Sequence, residues 1–251
     1  MARGVTLITG ASAGLGAEFA RQCRARGDEL VLVARRRDRL EALAAELGSA
    51  HVIAADLARP DAAAKLLDEV AGLGLEIETL INNAGFGAAG PFVGAPPERL
   101  LEMIDLNIRS LTELCRLVLP AMLERRRGSI LNVASTAAFQ AGPYGAVYYA
   151  SKAYVLSLSE ALYEETKGKG VRVSALCPGP TATEFFEVAG SPNGRLAKMA
   201  TDPVAVVAAG LAGLAKGRPI TVPGLANKVG AFGTRLMPRA ALRRIVASLK
   251  S

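Results

Sequence analysis

Short, wholly apolar runs alternate with helix-periodic segments along almost the whole chain, and this alternation limits the fold more than any other feature. GVTLITG, ELVLVA, HVIAADL, ETLINNAG, GSILNVAS and VRVSALCPG read as strands. Between them, AGLGAEFARQCRARG, RRDRLEALAAEL, DAAAKLLDEVAGL, PPERLLEMIDLNIRSLTELCRLVLPAMLERR and YYASKAYVLSLSEALYEETKGKG carry helical spacing. A strand that is apolar at every position is buried on both faces, and this calls for a parallel sheet with helices above and below. DPVAVVAAGLAGLAKG adds a helix and PITV a short last strand. The expected class is therefore α/β, a doubly wound parallel sheet in a single domain, residues 1–224, with residues 225–251 as a C-terminal extension of it.

Composition narrows the function classes. Hydrophobic residues make up 51% and charged residues 21% of the 251, as in ordinary globular proteins and unlike disordered ones. The longest uncharged stretch, Gly128 to Ser151, contains Gly, Pro, Ser, Thr, Asn and Gln and does not read as a membrane span. Near the N-terminus the run VTLI is too short for a secretory signal and reads as the first strand, so a cytoplasmic location is expected. Cys23, Cys115 and Cys177 lie far apart in apolar segments and are expected as buried reduced thiols. His51 is the only histidine, so a Ser-His-Asp hydrolase or a histidine-based zinc site would depend on that one residue. Neither is favoured, and no metal site is expected.

The first strand runs into TGASAGLG, which sets Gly10, Gly14 and Gly16 before a helix. Glycine tolerates positive φ and close backbone approach, while the free N–H groups of a helix N-terminus attract phosphate oxygens. The spacing G-x-x-x-G-x-G departs from the common dinucleotide fingerprint, yet its place on the first strand of an alternating chain points to a dinucleotide. At the end of the second strand stand Ala34, Arg35, Arg36 and Arg37. No carboxylate is there to bind a ribose 2′-hydroxyl, and guanidinium forks are at hand for a 2′-phosphate. NADP(H) is the expected cofactor, with Arg35 the first choice and Arg37 read as a solvated helix start.

Further on, VYYASK sets Tyr148 four residues ahead of Lys152, on one helix face, and Ser135 closes the strand GSILNVAS upstream. A phenol titrates near 10, too high to shuttle protons near neutrality, and a nearby ammonium favours the phenolate. Tyr148 is thus a candidate acid/base, Lys152 the cation that tunes it, and Ser135 a donor to a substrate oxygen.

Together these residues resemble the short-chain dehydrogenase/reductase family, from Val5 to about Val222. TGASAGLG, with Ser12 and Leu15 inside it, is similar to the family's glycine motif. Asp56-Leu57 resembles its adenine-contacting pair and NNAG, with Asn83, Ala84 and Gly85, its fourth-strand motif. Asn107, Ser135, Tyr148 and Lys152 match its catalytic tetrad, and Pro178-Gly179 with Thr183 its nicotinamide-holding segment. The resemblance implies a Rossmann-type sheet of about seven parallel strands and a homodimer or homotetramer paired through the two long helices. It also implies that Lys152 holds the nicotinamide ribose and that Asn107 positions a water leading to Lys152. The implied activity is hydride transfer between nicotinamide and a carbonyl or alcohol: a ketone, an aldehyde or a 3-oxoacyl thioester. A non-catalytic NADP(H)-binding sensor or interaction protein, and a lipid-directed reductase at a membrane surface, stay open as alternatives.

Phe139, Gln140, Pro143 and Tyr144 are expected to line an apolar substrate pocket, with Phe185, Phe186, Val188 and Met199 from a lid over residues 180–201. The tail departs from family members that end soon after the last strand. No acidic residue follows Asp202, while Lys216, Arg218, Lys228, Arg235, Arg239, Arg243, Arg244 and Lys250 follow it, so the first 202 residues, with 22 basic and 23 acidic, net −1 and the tail carries the protein's +7. After Pro238, the apolar Leu242, Ile245, Val246 and Leu249 share one helix face. Three readings stay open: a helix docked on its own domain or a partner subunit, a basic helix on an anionic membrane, and a patch for an acidic partner such as acyl carrier protein. Nucleic acid is not an expected partner.

Overall fold

The computed structural model of the protein describes residues 3–191, 194 and 200–248. Among these, seven strands form one wholly parallel sheet: β1 (Arg3–Thr9), β2 (Leu30–Ala34), β3 (His51–Ala54), β4 (Leu75–Asn82), β5 (Gly128–Val133), β6 (Val171–Leu176) and β7 (Ile220–Thr221), in the spatial order 3-2-1-4-5-6-7. The helices are α1 (Gly14–Ala25), α2 (Arg37–Glu46), α3 (Ala62–Gly72), α4 (Pro97–Ile104), α5 (Leu111–Glu124), α6 (Ala146–Thr166), α7 (Phe185–Val188), α8 (Pro203–Ala215), α9 (Leu225–Gly233) and α10 (Arg239–Ser248). The expected Rossmann-type α/β architecture is the observed one.

The all-apolar strands explain the two layers. In β2, Leu30 and Leu32 face one way and join Phe19, Leu40 and Leu211 from α1, α2 and α8. Val31 and Val33 face the other way and join Leu66, Leu114 and Val155 from α3, α5 and α6. Side chains alternate across a strand, so a strand that serves both cores is apolar at most positions, and the polar exceptions Thr6, Asn132 and Ser174 are themselves buried. Each fully buried Leu, Val or Phe contributes about 1.5–3 kcal/mol of hydrophobic stabilisation, which is why this pattern fixes the architecture. The cysteines Cys23, Cys115 and Cys177 are buried free thiols within these cores. His51, at the start of β3, bonds the Glu29 carboxylate through Nε2 at 2.9 Å and has a structural place.

Strand order reverses between β1 and β4, so the connections leave in opposite directions and open a crevice at the carboxyl ends of these strands. Three features there differ in detail from the expectations. The long helix after β4 is continuous but contains a π-helical stretch, Asp105–Ser110, between α4 and α5. The segment after β6 is pinched at its neck, where Ala182 N–H donates to Thr201 O and Thr201 N–H to Pro180 O, both at 2.9 Å, and it carries α7. Met199 lies outside the described residues. In the tail, α10 buries Val246, with Leu242 beside it, against Ala137 and Tyr149, so the helix docks on its own domain. Leu249 lies outside the described residues. The helix α9 has no counterpart in the sequence reading, because Gly230 and Gly233 make LANKVGAFG a poor helix former by composition.

Candidate active site

The glycine turn is fixed by contacts that only glycine permits. Gly10 has φ 67°, where a side chain would be strained. At Gly16 an added Cβ would stand 2.1 Å from Gly10 O, so the helix start and the turn are in backbone contact. Thr9 and Asn83 lock this turn onto β4. The Thr9 hydroxyl accepts the N–H groups of Asn83 and Ala84, at 3.0 and 2.9 Å, and Asn83 Nδ2 donates to Thr9 O at 2.9 Å and Gly10 O at 3.2 Å. NNAG therefore braces the cradle. Thr9 was not anticipated; its only sequence signal is a hydroxyl ending an otherwise apolar strand.

From this turn a cavity of about 760 Å³ runs along the carboxyl edge of the sheet. Gly10, Ser12, Gly14, Leu15, Arg35, Asp56, Leu57, Asn83, Ala84, Gly85, Ser135, Tyr148, Lys152, Pro178, Gly179 and Thr183 all line it, so it brings together almost every residue singled out from the sequence. Gly16 and Asn107 stand behind this wall. The volume suits an extended dinucleotide with room for a second, smaller molecule. At the far end from Tyr148, the carboxyl end of β2 carries Ala34, then Arg35 and Arg36. Arg35 Nη1 pairs with Glu102 at 3.1 Å. Arg36 instead sits on the glycine turn, donating from Nε and Nη2 to Ser12 Oγ at 3.3 and 3.2 Å, and grips Glu184 at 3.2 Å. Arg39 Nη1 reaches the other oxygen of Glu184 at 2.6 Å, and the two arginines hold that carboxyl below its ordinary range. Arg37 pairs with Glu41 at 3.7 Å on the surface of α2, as a solvated helix start would.

At the other end, α6 begins at Ala146 and presents Tyr148 and Lys152 on one face, as their spacing predicts. Ser135 caps the short 3₁₀ turn Thr136–Phe139, its Oγ accepting Ala137 N–H at 3.1 Å and donating to Pro178 O at 3.5 Å, beside the Tyr148 phenol in the cavity wall. Lys152 is buried and donates from Nζ to Val133 O at 2.7 Å. Burial pushes the Lys152 ammonium down to about 8. Burial also pushes the Tyr148 phenol up to about 12, against a smaller downward pull from Ser135. The lowering of the phenol by Lys152 expected from the sequence is not among the effects acting on Tyr148 here. Nζ lies 5.9 Å from the ring centroid and is turned to the Val133 carbonyl.

Asn107 is fully buried inside the π-helical stretch. Its Oδ1 accepts Phe86 N–H at 3.1 Å, and its Nδ2 donates to Phe86 O and Ser151 Oγ, both at 3.0 Å. A Cβ on Gly85 would lie 2.9 Å from Asn107 Oδ1 and 3.5 Å from Lys152 Nζ, so the two polar groups flank the same glycine.

Over Tyr148, the Phe185 ring packs with centroids 5.3 Å apart, and Phe186, Val188, Gln140 and Tyr144 complete this part of the lining. Phe139 does not take part, because it is drawn into the core beneath α6, and Pro143 is not in the wall. Val246 of α10 does line the cavity, beside Tyr149. The sequence offered only its place on the apolar face of the tail helix.

Comparison with known proteins gives the family of the chain. The family model "short chain dehydrogenase" matches residues 4–193. A very-long-chain 3-oxoacyl-CoA reductase from Anas platyrhynchos is 36% identical over 193 residues, covering 72% of this chain and 61% of that protein, so the chain spans about three fifths of that relative's length. Serine 3-dehydrogenase from Rhizobium radiobacter is 38% identical over 184 residues, covering 72% of this chain and 74% of its own. Among solved structures, a short-chain dehydrogenase from Sphingobium yanoikuyae in complex with NADPH superposes with a TM-score of 0.83 at 36% identity, covering 93% of this chain and 94% of that one. The chain belongs to the short-chain dehydrogenase family.

Proposed function

We propose that the protein is an NADP(H)-dependent reductase, or the reverse dehydrogenase, for an apolar ketone, aldehyde or acyl thioester, with Tyr148 as its acid/base. The observation that carries this reading is one cavity with Tyr148, Ser135 and Lys152 at one end and the glycine turn with Arg35 and Arg36 at the other. Bound nicotinamide supplies hydride to the carbonyl carbon, or takes it from the alcohol. Tyr148 gives its phenolic proton to the carbonyl oxygen, and Ser135 donates a hydrogen bond to that oxygen as charge develops on it. Lys152, held near 8, exchanges a proton close to neutrality, and Asn107 across Gly85 is the group through which a water would reach it. Both amide hydrogens of Asn107 are spent on Phe86 and Ser151, so that water would meet an oxygen of Asn107.

The choice of NADP(H) rests on an anion already held in the arginine site. Glu184 lies between Arg36 and Arg39, and its carboxylate shows that these guanidinium groups converge on one negative group beside Ser12. A 2′-phosphate presents the same chemistry with more charge. For the substrate, the two relatives are named for opposite chemistries, a long acyl thioester and a polar amino acid. Among the described residues, the charged ones lining the cavity are Arg35, Arg36, Asp56, Lys152 and Glu184, and of these Lys152 alone stands at the Tyr148 end. That lysine is turned to Val133 O, so among the described residues a zwitterionic substrate meets no carboxylate and one engaged cation there, and Phe185, Phe186, Val188 and Val246 favour an apolar substrate. Pairing of copies through α5 and α6 belongs to the same reading, supported by the exposed Leu117 and Tyr154. The test is a panel of ketones, aldehydes and 3-oxoacyl thioesters assayed with NADPH and NADH in parallel. Turnover of apolar carbonyls with a preference for NADPH is expected; oxidation of neither cofactor against any member would overturn the proposal.

A further inference from the structure

Helix α9 is mounted inside out. Leu225, Val229 and Phe232, at i, i+4 and i+7, are 78%, 64% and 61% exposed, and Leu236 in the following turn is 73% exposed. Asn227, Ala231 and Thr234 are the side chains that face the protein. Asn227 Nδ2 donates to Pro223 O at 2.8 Å and its side chain packs on Gly179, while Ala231 and Thr234 are half-buried. A helix docked only for stability would present the opposite faces. The surrounding charge has one sign. Lys228, Arg235, Arg239, Arg243 and Arg244 are exposed, no acidic residue follows Asp202, and none of the five belongs to an ion pair among the described residues.

We propose that this face, Leu225, Val229, Phe232 and Leu236 ringed by Lys228 and Arg235, docks the protein on the surface of an anionic lipid bilayer. The apolar side chains enter the boundary between headgroups and acyl chains, and the cations lie at headgroup level. A second copy of the chain fits less well, since a two-fold interface would set this patch against itself and bring the same cations face to face. An acidic protein would match the charge and leave the apolar stripe without a counterpart. Of the three readings left open for α10, docking on its own domain is the one that its inward Val246 supports, so the membrane-facing helix proposed is α9. The proposal is independent of the reaction assigned above.

The experiment is vesicle flotation of the full chain on pure phosphatidylcholine and on phosphatidylcholine containing about one third phosphatidylglycerol. Binding at least about tenfold stronger on the anionic vesicles and weakened by salt is expected. Val229→Ser with Phe232→Ser, both at exposed positions, is expected to lose at least about tenfold of it while the melting temperature and nicotinamide affinity stay unchanged. The chain has no tryptophan, so Phe232→Trp gives a single reporter whose emission is expected to shift to the blue on anionic vesicles. Equal partitioning of wild type and the double serine variant, an absence of binding to both vesicles, or bound protein without the spectral shift would overturn the proposal. So would a concentration-dependent dimer, or a complex with an acidic carrier protein, that depends on these side chains while vesicles are ignored.

Discussion

Replacing the buried lysine should stabilise the cofactor-free protein at neutral pH, even though it removes a residue the site is built around. Lys152 is 6% exposed, and its ammonium titrates near 8 instead of its ordinary 10.5. Below pH 8 the folded protein therefore carries a desolvated charge that disfavours folding by about 3 kcal/mol. Lys152→Met removes this cost and fills a similar volume, but it deletes the 2.7 Å bond to Val133 O, a loss of about 1–2 kcal/mol. The net gain at pH 7 is about 1–2 kcal/mol, or roughly 2–8 °C in melting temperature for a chain of this size. The sign reverses with pH. Between about 8 and 10.5 the unfolded chain still binds the proton that the folded one has released, so wild-type stability rises through this window relative to the variant. By its upper end Lys152→Met should be the less stable protein. Burial also pushes the thiols of Cys23, Cys115 and Cys177 up to about 12 from 9.0, which lowers the stability of both proteins above pH 9. The readout is therefore the difference between the two melting curves from pH 7 to 10.5. A variant less stable than wild type at pH 7, by an amount that does not change with pH, would refute the reasoning.

Three further outcomes follow from the geometry. Arg36→Ala should weaken NADPH binding about tenfold and NADH little, and Glu184→Gln, which removes the competing carboxylate, should tighten NADPH several-fold; titration of both cofactors measures each, and equal effects on the two would contradict the assignment of the arginine site. Gly16→Ala places a Cβ against Gly10 O and should cost about 1–3 kcal/mol in chemical denaturation together with most of the cofactor affinity; an unchanged protein would mean the turn is looser than described. Val246→Ala should cost about 1–2 kcal/mol and lower KM for bulky ketones more than for small ones, an outcome absent if α10 is not part of the substrate wall.

The sheet was legible because β2 is apolar at every position and β1, β5 and β6 at most of theirs, in strict alternation with helix-periodic segments, a pattern that suits a parallel sheet covered on both faces. The proposed acid/base pair was legible because Tyr148 and Lys152 lie one helical turn apart, and Ser135 because it follows closely on the fifth strand. What escaped the sequence depends on contacts between distant segments. Thr9 acquires its role from Asn83, 74 residues away, and Arg36 acquires Glu184 from the far side of the sheet. Neither partner is marked by spacing. The balance of pKa effects was also hidden, because it turns on whether Nζ faces the phenol or the Val133 carbonyl, and a sequence does not fix that. In the tail, an apolar periodicity was visible in α10, yet periodicity alone does not say which of two amphipathic helices faces inward. α9 escaped because its glycines break the pattern, while its orientation is set by Asn227 beneath it.

The central claim is that Tyr148 moves the proton, and the most direct measurement is a single-turnover reaction with saturating NADPH, comparing wild type with Tyr148→Phe on the best substrate of the carbonyl panel. The substitution removes one hydroxyl and keeps the ring that packs on Phe185. Cofactor affinity and melting temperature should be nearly preserved, while the rate of NADPH oxidation falls by about 10²–10⁴. A variant that binds NADPH normally and reduces the substrate at close to the wild-type rate would contradict the account.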